Sequence, residues 1–133
     1  MPVAIGVGLA VLVGVFGTAT GLDRDRAFYP VITIIVATYY ILFAVVGEAS
    51  RALWPETMIA GAFIVAAVVG FRRSLWIVVA ALAAHGILDL IHGSVVANPG
   101  VPDSWPGFCM GYDVAAALYL AGLLRSGRIR AVS

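Results

Sequence analysis

Charged residues are scarce in this sequence of 133 residues. Asp, Glu, Lys and Arg together make up 11% of the chain, whereas soluble domains carry about 25%. Hydrophobic residues make up 62%, and the formal net charge is only +1. Such a composition cannot cover the surface of a soluble domain, and it lacks the basic footprint needed to bind nucleic acid. It therefore predicts an integral membrane protein whose main partner is the lipid bilayer.

Cysteine, lysine and familiar catalytic motifs are also missing or nearly so. Cys109 is the single cysteine, which excludes an internal disulfide, and all eight basic residues are arginines. The sequence has no GxSxG nucleophile elbow, Walker loop, Rossmann fingerprint or HExxH zinc motif. No basic residue precedes Arg24, so the first apolar run lacks the positive start of a signal peptide and is predicted to be a retained helix.

What the sequence does contain is a series of five apolar runs, separated by charged or Pro- and Gly-rich segments. A spanning helix needs about 20 mostly apolar residues. Pro55 followed by Glu56 marks a helix start, because proline suits the first turn and an acid suits the positive end of the helix dipole. We predict a single all-α domain over residues 1–133, a bundle of five transmembrane helices at about 3–21, 27–47, 56–71, 74–93 and 107–124.

The arginines are distributed unevenly among the connections. The second connection has Arg51 alone and the fourth has no basic residue, whereas the first, the third and the tail carry the other seven arginines. Short cytoplasmic loops collect Lys and Arg. The sequence therefore predicts a multi-pass membrane protein with its N-terminus outside and its C-terminus in the cytoplasm. The alternative is that Arg51 also lies inside and that one run is re-entrant.

The first predicted helix is rich in glycine. Small residues about four positions apart let helix backbones approach closely. They predict either packing inside the bundle or an interface with a second copy or a larger membrane complex. The small residues are Gly6, Gly8, Ala10, Gly14, Gly17 and Gly21.

The fourth predicted helix carries three ionisable side chains, which are costly inside a membrane and usually functional. His85, Asp89 and His92 follow the spacing His-x3-Asp-x2-His. At about 100° per residue they lie within roughly 60° of one another around the helix axis. Imidazole and carboxylate groups are both metal ligands, and positions i and i+4 on a helix can present two ligands to one ion.

The fifth predicted helix enters the membrane from the same side as the polar end of the fourth. Asp113 lies about six residues into it, at a depth of roughly 9 Å, close to the depths of Asp89 and His85. Cys109 lies one turn before Asp113. We therefore predict a site for a divalent metal, zinc or non-haem iron. Its predicted ligands are His85, Asp89, His92 and Asp113, with Glu48, Cys109 and Tyr112 as accessory residues.

The same residues have plainer interpretations. His85 and Asp89 could satisfy each other by hydrogen bonding, or the polar stripe could bind a proton or a substrate without a metal. A lone buried cysteine usually behaves as a small hydrophobe. Glu48 and Glu56 would then be interfacial charges. Tyr39 and Tyr40 could line the site from the second helix, although packing among aromatic side chains is the commoner role.

The segment from His85 to Asp113 contains His85, Asp89 and His92 on one helix, then Asn98-Pro99 in a loop, then Cys109 and Asp113 opening the last helix. This pattern resembles one found in small, uncharacterised bacterial polytopic membrane proteins. The resemblance covers the last third of the chain and implies a grouping without an activity. Three functions stay open: a metal-binding protein or membrane metalloenzyme, an accessory subunit of a larger complex, and a small transporter or proton relay.

Overall fold

The computed structural model describes all 133 residues and contains helices but no strands. The helices have 19 to 23 residues each and high mean hydropathy, between 1.5 and 2.1, so all five are long and apolar enough to cross a membrane. This confirms the predicted all-α class and the number of helices. The helices are α1 (Pro2–Thr20), α2 (Phe28–Val46), α3 (Ser50–Arg72), α4 (Leu75–Val95) and α5 (Trp105–Arg125), with a short 3₁₀ helix at Leu22–Asp25.

Helix α3 begins six residues before the start predicted at Glu56. Its first turn is stabilised by tertiary packing, because Ala52 is buried against Ala44 of α2 and Val96, which follows α4. Pro55 consequently lies inside the helix and not at its first turn. This difference changes the environment of Glu56. The sequence predicted an interfacial charge, whereas the structure places Glu56 in the second turn of α3, where it is buried and only 1% exposed.

Helix α4 is the central element, because it packs against α2, α3 and α5. Its buried face carries His85, Asp89 and His92, each about 2% exposed. The loop between α4 and α5 lies at the same end of the bundle as the N-terminus and the turn between α2 and α3. We call this the loop end. The opposite end holds every arginine except Arg51, and we call it the arginine-rich end.

The glycines of α1 are used inside the bundle. Gly6, Ala10, Gly14 and Gly17 are buried. A Cβ atom on Gly6 would collide with the backbone of α5 at the Phe108 carbonyl oxygen. Gly8 lies off this face, and a Cβ added there would meet nothing within 4 Å. The small residues therefore let α1 and α5 pack in backbone contact, which was one of the two predicted uses.

Candidate metal site

Four potential metal ligands converge in the interior of the bundle near the loop end. Their ligand atoms, one each from His85, Asp89, Cys109 and Asp113, all lie within 4.8 Å of one another. All four residues are 2% exposed or less. They come from two adjacent helices. Gly86 helps bring the helices together, since a Cβ there would lie 3.0 Å from Val114 Cγ2 on α5.

His85 is at the centre of this group. Its Nδ1 lies 2.7 Å from Asp113 Oδ2, a hydrogen-bond distance, and 3.7 Å from Asp89 Oδ2, which is too far for a hydrogen bond. The Cys109 thiol donates to Asp113 Oδ2 across 3.8 Å. Asp89 uses its other oxygen, Oδ1, to accept from the Tyr40 hydroxyl at 2.6 Å.

Two carboxylate oxygens in the group have no hydrogen-bond partner. Asp89 Oδ2 and Asp113 Oδ1 are both buried and accept from no donor in the protein. A buried polar atom left without a partner costs about 1–3 kcal/mol, and more when it is charged. Both oxygens belong to residues of this one group, so the group has carboxylate lone pairs that no donor in the protein uses and that a cation could take up.

The donor set suits zinc or ferrous iron. Zinc sites combine thiolate, imidazole and carboxylate ligands, and bonds of about 2.0–2.3 Å place tetrahedral ligands roughly 3.5 Å apart. The widest separation here is 4.8 Å, so the ligand atoms would have to close by about 1 Å around the ion. The hydrogen bond that the Tyr40 hydroxyl donates to Asp89 would then be a supporting contact of the kind that orients metal ligands.

His92 lies outside this group and forms a second polar cluster. Its Nε2 lies 2.8 Å from Glu56 Oε1, and the Asn98 amide donates to the same oxygen at 2.9 Å. Because His92 is one turn closer to the loop end than Asp89, it reaches α3 and not α5. The structure thus separates His92 from the other three predicted ligands. In its place, Cys109, which was predicted as an accessory residue, lies with His85, Asp89 and Asp113.

Tyr40 connects the two clusters. Its hydroxyl donates to Asp89, and its ring stacks on His92 with centroids 3.8 Å apart and planes 10° apart. Its backbone carbonyl accepts from the Asn98 amide at 3.0 Å. The loop that supplies Asn98 packs tightly on α2, because a Cβ on Gly100 would collide with the Phe43 carbonyl oxygen.

The remaining accessory candidates lie apart from the four ligands. Glu48 is exposed in the turn between α2 and α3, with a left-handed φ of 52°. Tyr112 is partly buried and lines an apolar cleft beside α5. Glu56 and Asn98 belong to the second cluster although the sequence did not suggest it. The signal that could have identified Glu56 is an acidic residue next to an apolar segment. Because Glu56 follows Pro55, it was interpreted as part of a helix start.

No protein-family model matches this chain, and comparisons with curated proteins and with solved structures found no match either. The family resemblance therefore rests on its pattern of residues alone. Of those residues, His85, Asp89, Cys109 and Asp113 meet in one group.

Proposed function

We propose that this chain is a multi-pass protein of the bacterial inner membrane that binds one divalent metal ion, zinc or non-haem iron. The ligands are His85, Asp89, Cys109 and Asp113. The observation that carries the proposal is the pair of unpartnered carboxylate oxygens, Asp89 Oδ2 and Asp113 Oδ1, inside a group whose ligand atoms lie within 4.8 Å of one another.

Electrostatics supports a cation at this position. Two carboxylates held close together in a low-dielectric interior repel, and one of them takes up a proton unless a positive charge lies between them. A divalent ion removes the repulsion and supplies the missing partners. When bound, such a metal activates water or oxygen. A membrane metalloenzyme acting on a lipid-soluble or periplasmic substrate is the activity that best fits this position.

Elemental analysis tests the proposal directly. Protein purified in detergent, stripped with a chelator and reconstituted with zinc or ferrous iron should retain about one ion per chain, because the chain has one such group of ligand atoms. Binding requires a neutral imidazole and ionised carboxylates, so retention should decrease as the pH falls through the range in which histidine titrates. Wild-type protein that stays metal-free after reconstitution with both ions would contradict the proposal.

A proton relay is the second candidate, favoured by the contacts that link the two clusters. Asp113 is hydrogen-bonded to His85, and the Tyr40 hydroxyl donates to Asp89. Between them, His85 Nδ1 lies 3.7 Å from Asp89 Oδ2, a gap that a proton would have to cross without a direct hydrogen bond. The stacked His92 then pairs with Glu56 and, together with Asn98, lines an open depression at the loop end. Wild-type protein that stays metal-free after reconstitution would favour this function over metal binding.

We further propose that the arginine-rich end faces the cytoplasm, because seven of the eight arginines lie there and short cytoplasmic loops collect basic residues. Reporter fusions after Arg26, after Arg73 and at the tail should give cytoplasmic signals. Fusions near Arg51 and Asp103 should give external signals. A cytoplasmic signal at Asp103 would reverse the orientation and place the metal site in the inner half of the membrane, without changing the number of helices.

A further inference from the structure

A polar depression lies at the arginine-rich end of the bundle, opposite the loop end. Its volume is about 370 Å³, and none of its four lining residues is hydrophobic. They are Thr18 of α1, Asp23 and Arg24 of the short 3₁₀ helix, and Arg128 of the C-terminal tail. Three charged side chains, in a chain that is poor in charge, therefore surround one space.

Asp23 is the fixed part of this depression. It is only 3% exposed, and its Oδ2 accepts a hydrogen bond from the Thr18 hydroxyl at 2.6 Å. The Thr18 oxygen in turn lies 2.9 Å from the Tyr119 hydroxyl of α5. The second carboxylate oxygen, Asp23 Oδ1, accepts no hydrogen bond in the protein and belongs to the little surface that Asp23 keeps. Side chains of two helices thus hold the carboxylate in place, with one oxygen free to accept from a ligand.

The two arginines of the depression carry charges that nothing in the protein neutralises. Arg24 and Arg128 are both exposed, and neither forms an ion pair, since all ion pairs of the chain involve a histidine. Both line the same space as Asp23 without pairing with its carboxylate. Guanidinium groups bind phosphate through paired hydrogen bonds. The depression therefore offers two cations to a phosphate and one carboxylate to a cationic group of the same ligand.

This depression lies at the depth of lipid head groups. Helix α1 has 19 residues and so rises about 28 Å, close to the thickness of the hydrocarbon core. Thr18 is in the last turn of α1, where the helix reaches the membrane surface. Phe16 and Leu22, which are close in sequence to Thr18 and Asp23, are 57% and 51% exposed, and they offer apolar surface to acyl chains. Basic pockets between helices at this level bind phospholipid head groups.

We propose that the depression binds the head group of a phospholipid that carries both a phosphate and an ammonium group, as phosphatidylethanolamine does. Arg24 and Arg128 hold the phosphate, and Asp23 Oδ1 accepts a hydrogen bond from the ammonium group. A purely anionic head group would bring its phosphate near the Asp23 carboxylate with no cation of its own to offset the repulsion. The proposal requires neither the metal nor a particular orientation, because both ends of a spanning bundle meet a membrane surface.

Native mass spectrometry tests the binding. The full-length protein in detergent micelles is titrated with phosphatidylethanolamine, phosphatidylglycerol and phosphatidylcholine that share the same acyl chains. Phosphatidylethanolamine should bind roughly tenfold more tightly than the other two, because phosphatidylglycerol has no ammonium group and the quaternary ammonium of phosphatidylcholine has no N–H to donate. Equal retention of all three lipids would overturn the proposal. Glycerophosphoethanolamine, the same head group without acyl chains, should compete weakly. Full competition at equal concentration would overturn the lipid as the source and identify a soluble phosphoethanolamine ester.

Two pairs of variants assign the roles within the depression. Asp23→Asn keeps an acceptor for Thr18 but removes the charge, and it should abolish the preference for phosphatidylethanolamine over phosphatidylglycerol. Asp25→Asn is the matched control, because Asp25 is exposed and does not line the depression, and it should leave the preference unchanged. Arg128→Gln should weaken binding of both lipids roughly tenfold, whereas Arg130→Gln, at an exposed position outside the depression, should not.

A preference that survives Asp23→Asn, or one that Asp25→Asn abolishes equally, would overturn the assignment of the carboxylate. If Asp23→Asn fails to fold, the exposed Arg128 still provides the test, and unchanged lipid binding in Arg128→Gln would overturn the proposal.

Discussion

Asp113→Asn is expected to abolish retention of zinc or iron. Asp113 is fully buried, contacts His85 at 2.7 Å, and carries one of the two unpartnered carboxylate oxygens. An amide removes the negative charge and presents an N–H₂ group that repels a cation. Removing a supporting residue behind a ligand weakens metal binding by about 10–100-fold, and loss of the ligand itself should exceed that. Elemental analysis after dialysis, with competition by a chelator of known affinity, gives the measurement. His85→Ala should behave in the same way.

His92→Ala is the sharpest control for this experiment. His92 is also a buried histidine of α4, but it pairs with Glu56 and not with the ligand group. The variant should bind metal at wild-type stoichiometry, although it leaves Glu56 with only the Asn98 amide. Loss of metal from His92→Ala, together with retention in Cys109→Ser, would mean that His92 is the fourth ligand, as the sequence spacing predicted, and that Cys109 is not.

Gly6→Leu is expected to destabilise the bundle strongly. A Cβ at this position already collides with the Phe108 carbonyl oxygen and lies 2.9 Å from Tyr112 N, so α1 would have to move away from α5. Overpacking of this kind costs about 1–3 kcal/mol, and more where backbone is displaced. Unfolding in detergent, followed by temperature or denaturant, should show the decrease. An unchanged midpoint would mean that the α1 and α5 contact contributes little.

Gly8→Leu provides the matched comparison and also tests for a partner. Gly8 is exposed, and a Cβ there meets nothing within 4 Å, so the substitution should leave the unfolding midpoint unchanged. We propose that any oligomer or larger complex uses this outer face of α1, since Gly6 and Gly14 already face α5 and Gly17 faces Phe28 of α2. Dissociation of a native complex by Gly8→Leu, with stability retained, would identify such an interface. An unchanged complex would exclude this face.

The helices could be predicted from the sequence because apolar length alone decides whether a segment can span a bilayer. The predicted first helix, 3–21, differs by one residue at each end from α1 at Pro2–Thr20. The start of α3 could not be predicted, because proline and an acid are typical of a first turn. Only the tertiary contact of Ala52 with Ala44 and Val96 extends the helix further.

Part of the site could be predicted from helical spacing. The period of the helix places His85 and Asp89 on one face, and the depth of Asp113 matches theirs. Periodicity also placed His92 on that face, but it cannot show which neighbouring helix each residue meets. His92 lies nearer the end of α4, where Glu56 of α3 and the Asn98 loop reach it. Tyr40 could be predicted to line the site, but its contacts with Asp89, His92 and Asn98 could not, because all three residues are distant in sequence.

The pairing of the first helix with the last fixes the order of assembly during synthesis. A chain emerges from the ribosome N-terminus first. Helices α3 and α4 can each pack on the helix made just before them, but α1 has to wait for α5. Helix α5 also supplies Cys109 and Asp113, so half of the metal ligands arrive last. A nascent chain that ends after α4 would leave the glycine face of α1 unpacked and would leave His85 and Asp89 without Cys109 and Asp113. Quality-control proteases could recognise such exposed features.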